Sequence, residues 1–95
     1  MFDKAKAIYE LKKIQSALAK EIIKVETGDG AVKIEVTGEQ KIKSVSLDRD
    51  KIDFDDLGKL ERHIESAITQ AITRSQQLAA DKMKAVAGGL GLPGL

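Results

Sequence analysis

The stretch "TGDGAVKIEVTG", residues 27 to 38, holds a Gly-x-Gly, an alternating run and a further Gly. Val32, Ile34 and Val36 alternate with Lys33, Glu35 and Thr37, the period-two pattern of a strand with one apolar face. Upstream, "IIKVETG" is dense in β-branched residues and predicts a strand over 22 to 27, with the junction from Lys20 to Ile23 readable as strand or helix. Gly28-Asp29-Gly30 therefore joins strand to strand. A phosphate cradle needs its Gly-rich turn to open a helix, whereas Asp-Gly suits a hairpin that requires positive φ. No Gly-Lys-Ser/Thr occurs in the chain.

Beyond Gly38, residues 41 to 47 repeat the alternation, with Val45 and Leu47 on one side and Ser44 and Ser46 on the other. Ile42 is out of phase with Val45, which predicts a bulge or an early start. Before the strands, Ala7, Leu11, Ile14 and Leu18 form a helical stripe, so residues 3 to about 20 read as an amphipathic helix. Lys6, Lys13 and Lys20 recur every seven residues as a second stripe, which an ordinary solvated helix face would also explain. After the strands, "DRDKIDFDD" is a polar connection in which Asp55 or Asp56 caps the next helix. Leu57, Leu60, Ile64, Ala67, Ile68, Ala71, Ile72, Leu78, Ala79, Met83 and Val86 then predict one helix from about 55 to 86, stopped by Gly88-Gly89. The fold class is α+β, in the order α-β-β-β-α, with a three-stranded antiparallel sheet. Residues 1 to 87 read as a single domain and 88 to 95 as a flexible tail containing Gly and Pro93.

The last helix is about 48 Å long at about 1.5 Å per residue. A compact chain of this size has a radius of gyration of about 12 Å. Such a helix projects, and its apolar stripe needs cover, which predicts a homodimer.

Composition narrows the function. With no Cys among 95 residues there is no disulfide, thiolate metal site or cysteine nucleophile, and the pattern predicts a soluble, unprocessed cytosolic protein. Sixteen basic and fifteen acidic residues nearly cancel, but residues 1 to 25 carry six Lys against three acids, and residues 48 to 56 carry five Asp against Arg49 and Lys51. Read as a calcium loop from Asp48, the Asp cluster puts Asp53 where Gly is required and Lys59 where a bidentate Glu belongs, so capping and solvation explain it. His63 is the only His and cannot make a zinc site by itself. Neither Ser44 nor Ser46 stands in a nucleophile motif, and paired carboxylates need a concave, partly dry site that this small fold hardly provides. The prediction is a non-enzyme without cofactor, metal, membrane or small-molecule substrate. Phe2, Tyr9 and Phe54 are the only aromatics, so base stacking has little material, and if DNA is bound it is met mostly through its phosphates, with weak sequence preference.

"GAVKIEVTGEQKIKSVSLD", residues 30 to 48, resembles the YbaB/EbfC nucleoid-associated proteins, as does "DLGKLERHIESAITQA", residues 56 to 71, and Lys82-Met83 before a Gly-rich tail. The resemblance spans nearly the whole chain. Arg49 stands where that family commonly has Pro, and the first helix is rich in Lys and Ala rather than Gln and Met. The resemblance implies a cytoplasmic, nucleoid-associated bacterial homodimer that binds double-stranded DNA with little sequence preference, alters its conformation and affects nucleoid organisation and gene expression. It points to basic residues of the two helices: Lys6, Lys12, Lys13 and Lys20 on the first, Arg74, Lys82 and Lys84 on the second. The alternative is a non-enzymatic adaptor whose helices seat on a protein partner.

Overall fold

The computed structural model describes residues 4–89, with side chains for 4–85. Helix α1 (Lys4–Lys20) leads into strands β1 (Ile22–Thr27), β2 (Val32–Thr37) and β3 (Ile42–Leu47), and a short 3-10 turn (Arg49–Lys51) leads to helix α2 (Leu57–Gly89). The strands form an antiparallel sheet in the order β1-β2-β3. Phe2, Asp3 and the tail from residue 90 lie outside the described residues, as does the side chain of Val86.

Alternation on β2 sets the core. Val32, Ile34 and Val36 are buried with Val25 of β1 under Ala67 and Ala71 of α2, and Ile23, Leu60 and Ile64 close the edges. Ala67, Ala71 and Ser75 recur every four residues and are fully buried, so the helix meets the sheet through small side chains and lies close to it. The Ser75 hydroxyl donates to Ile72 O at 2.9 Å, so no buried polar group is stranded there. Across the other face Glu26 sits opposite Lys33 and pairs with it at 3.8 Å, a solvent-exposed contact worth little to stability.

The paired glycines make the hairpin. Gly28, Asp29 and Gly30 have φ of 62°, 55° and 92°, and Ala31 N–H donates to Gly28 O at 3.0 Å. A Cβ on Gly28 would stand 2.8 Å from His63 Cδ2, so this position needs Gly for both backbone and space. Gly28→Ala is expected to cost about 2 kcal/mol in urea denaturation. Pairing it with His63→Ala should recover the steric part only, which a double-mutant cycle measures.

The expected irregularity in β3 is a bulge: Glu35 pairs with Ser44 and Val36 with Ile42, leaving Lys43 extra. Asp56 is the α2 cap, its Oδ1 accepting from Lys59 N–H at 3.1 Å. Asp48 accepts from Asp50 N–H and Asp53 from Asp55 N–H, so the acidic stretch is a run of local turns. Arg49, the departure from the family pattern, begins the 3-10 turn.

Four expectations need correction. First, α1 buries Ile14 and Leu18 with Ala7 and Glu10 half-covered, while Leu11 is exposed. The helix is rolled because α2 approaches it from the Glu10 side, toward Leu78 and Lys82. Second, all of β3 is exposed, including Val45 and Leu47. Alternation assigns a face to these residues, but α2 lies over β1 and β2 and does not reach β3. Third, α2 runs through Gly88 and Gly89 instead of stopping before them, and it starts at Leu57 because Asp56 is the cap. Fourth, a cleft of about 690 Å³ exists between the hairpin turn and the start of α2, lined in part by Lys51, Asp53, Asp56 and His63. It is open, and both carboxylates are exposed, so it is not the dry site that acid-base chemistry needs.

The projecting helix is present. The molecule measures 64 × 23 × 14 Å with a radius of gyration of 17.8 Å, against about 12 Å for a compact chain.

Candidate nucleic-acid interface

The basic residues gather on an arm made by α1 and the C-terminal half of α2. Gly38 fixes where α1 leaves the sheet. Its N–H donates to Leu18 O at 2.9 Å and to Glu21 O at 3.1 Å, tying the end of β2 to the last turn of α1. Beyond that tie α1 runs along α2, and the helices enclose a groove of about 460 Å³ with Ile14, Ala17, Leu78 and Ala85 on its floor. Lys13 and Lys82 line this groove from opposite helices, beside Glu10 and Asp81.

Every basic residue singled out from sequence lies on this arm or at its root. Lys6, Lys13 and Lys20 are exposed and stay within about 40° of one another around α1, on the flank facing the groove. Lys12 is also exposed but stands about 160° from Ile14 around the helix, so it points away from α2. Lys84 is exposed. Lys82 is half-buried and its ammonium lies 3.5 Å from Glu21 Oε1, which neutralises part of its charge. Arg74 donates to Lys24 O at 3.4 Å and to Gln70 Oε1 at 3.5 Å, holding its guanidinium at the β1 edge of the sheet. The structure thus brings Lys6, Lys13 and Lys20 onto the groove flank of α1 with Lys82 across from them and Arg74 at the root of the arm, and leaves Lys12 on α1 and Lys84, about 160° from Lys82 around α2, pointing elsewhere.

Two further exposed cations join the basic residues foreseen from sequence, Lys4 on α1 and Lys24 on β1. Lys4 sits two residues from Lys6 and is legible as part of the basic segment. Lys24 is the last Lys of the same basic segment, but only the docking of α2 brings Arg74 beside it. Seven exposed cations lie elsewhere: Lys33 and Lys43 on the sheet, Lys41 just before β3, Arg49 and Lys51 in the 3-10 turn, where the Lys51 ammonium donates to Asp29 O at 3.0 Å, and Lys59 and Arg62 near the start of α2. Among the described residues no three His, Cys, Asp or Glu side chains converge as metal ligands would. No helix among them is long and apolar enough to cross a membrane.

This α-β-β-β-α architecture with a basic two-helix arm accompanies a match of residues 1–90 to the profile of the YbaB/EbfC DNA-binding family. The chain belongs to that family. YbaB/EbfC relatives include a nucleoid-associated protein of Syntrophobacter fumaroxidans, 35% identical over 86 residues that cover 90% of this chain and 78% of the relative. A nucleoid-associated protein of Ruminiclostridium cellulolyticum is 36% identical over 87 residues, covering 90% and 76%. The crystal structure of an uncharacterized Helicobacter pylori protein is similar with a TM-score of 0.66. It covers 86% of this chain and 92% of that one at 12% identity, a likeness in fold alone.

Proposed function

We propose that this YbaB/EbfC member binds double-stranded DNA through the basic side of its arm, as a homodimer, and associates with the nucleoid in the cytoplasm. The observation that carries the reading is the gathering of Lys6, Lys13 and Lys20 on the groove flank of α1, with Lys82 across the groove and Arg74 at its root. The α1 lysines are long and solvated, and exposed Tyr9 is the one aromatic beside them among the described residues, so they match phosphates and leave base edges unread. Sequence preference is weak on this reading, and two arms on one dimer give it the means to alter DNA conformation. The homodimer is supported by the 64 Å length and by apolar side chains left uncovered along β3 and α2. The role is non-enzymatic and requires no cofactor.

Fluorescence anisotropy with two labelled duplexes of equal length and unrelated sequence tests the reading. Both are expected to bind at 50 mM salt with affinities within about threefold of each other, and to lose at least about 100-fold by 200 mM. An adaptor for a protein partner would bind neither duplex at 50 mM.

A further inference from the structure

Two aromatic side chains stand exposed among the described residues, Tyr9 on α1 at 64% and Phe54 before α2 at 62%. Their surroundings differ in charge. Phe54 lies in a run with Asp53, Asp55 and Asp56, which repels a polyanion. Tyr9 lies among the lysines of the arm. Around the helix it stands about 20°, 40° and 60° from Lys20, Lys13 and Lys6, and about 140° from buried Ile14. The ring therefore points outward beside the lysine stripe, away from the contact with α2.

Along the helix axis Tyr9 falls between Lys6 and Lys13, about 4.5 Å from the first and about 6 Å from the second. Its side chain reaches about as far from the backbone as an extended Lys. Ammonium groups that touch phosphates on either side thus hold the ring against the strand between them. A ring held there can stack on a base face, which every base offers. In an intact duplex that face is covered by its neighbours, and unstacking it offsets the gain. Where the stack is already broken, the unstacking cost is least.

We propose that Tyr9 stacks on a base left open where the duplex is interrupted, so that the arm holds gapped DNA more tightly than intact DNA. The inference rests on the DNA-binding reading above and names the DNA that it favours. It agrees with weak sequence preference, because a stacked ring meets the face of a base and not its edge.

Fluorescence anisotropy at 50 mM salt tests it, with an intact duplex and the same duplex carrying a one-nucleotide gap. Wild type is expected to bind the gapped duplex about tenfold more tightly. The gap removes phosphate charge, so lysine contacts alone would not favour it. Tyr9→Ala should bind both duplexes alike, with affinity for the intact one within about twofold of wild type. Tyr9 is exposed and Ala is the better helix former, so thermal unfolding of this variant should move little. Tyr9→Phe should keep the preference, because stacking needs the ring and not the hydroxyl, and Phe54→Ala should keep it too. A wild type that binds neither duplex overturns the DNA-binding reading itself. Equal wild-type affinity for the two duplexes, a preference that survives Tyr9→Ala, or one lost in Tyr9→Phe overturns the stacking role alone.

A second measurement needs no substitution. Tyr9 is the only Tyr and the chain has no Trp, so intrinsic fluorescence reports this one ring. At saturation, after correction for DNA absorbance, the gapped duplex should quench it more strongly than the intact duplex. Equal quenching contradicts the stacking.

Discussion

Replacing Lys6, Lys13 and Lys20 together with Ala is expected to lower affinity for duplex DNA by about 100-fold or more at 50 mM salt, with the fold intact. The three ammonium groups lie in one stripe and none forms an ion pair among the described residues, so their charge is available to phosphate. Each phosphate that the variant no longer neutralises should flatten the slope of log K against log salt by about 0.9. All three side chains are exposed on α1, and Ala is the better helix former, so thermal unfolding should move little. Lys12→Ala, on the far side of α1, should cost much less than Lys13→Ala. Equal effects at these adjacent positions would mean that DNA does not meet one side of the arm.

Gly38→Val is expected to be the most destabilising single substitution considered for this fold. The backbone there has ordinary φ, so the constraint is space. A Cβ at 38 would stand 2.8 Å from Leu18 Cδ2 and 2.9 Å from the Leu18 carbonyl oxygen. The side chain can turn aside, but the carbonyl can move only with the last turn of α1, which it helps to close by accepting from Glu21 N–H at 3.2 Å. Relief of the clash breaks both hydrogen bonds from Gly38 N–H and withdraws Leu18 from its buried seat. A cost of about 2–4 kcal/mol follows, seen as a fall of about 10–20 °C in Tm. DNA affinity should fall as well, because α1 carries the lysine stripe. The two substitutions therefore differ in kind: the lysine variant loses affinity at constant Tm, and Gly38→Val loses both. A Gly38→Val protein with wild-type Tm would show that the tie between β2 and α1 is not structural.

Much of the fold is legible in the sequence because period and turn chemistry are local. Val32, Ile34 and Val36 announce a strand with one apolar face, the positive φ values of the first hairpin fall at Gly28, Asp29 and Gly30, and the phase slip between Ile42 and Val45 is the bulge at Lys43. What is not legible depends on neighbours. Glu10 rather than Leu11 shares the buried side of α1 because α2 approaches from there. Val45 and Leu47 face the side of α2 yet stay exposed because the helix is one strand too far away. The candidate interface shows the same division. The seven-residue spacing of Lys6, Lys13 and Lys20 is written in the chain, whereas the pairing of Lys82 with Glu21 and the approach of Arg74 to Lys24 arise from tertiary packing.

The glycines of residues 27 to 38 belong to this division too. Gly28 and Gly30 turn a hairpin and hold no phosphate cradle. Gly38, at the other end of the same stretch, positions the helix whose lysines are assigned to DNA phosphate.

Lysine acetylation read by mass spectrometry, with and without a saturating duplex at low salt, decides whether DNA sits on the arm. DNA should protect Lys6, Lys13, Lys20 and Lys82 on the arm and leave Lys33, Lys43, Lys51 and Lys59 as reactive as in the free protein. Protection confined to Lys43, Lys51 and Lys59, with the arm lysines unchanged, would contradict the assignment.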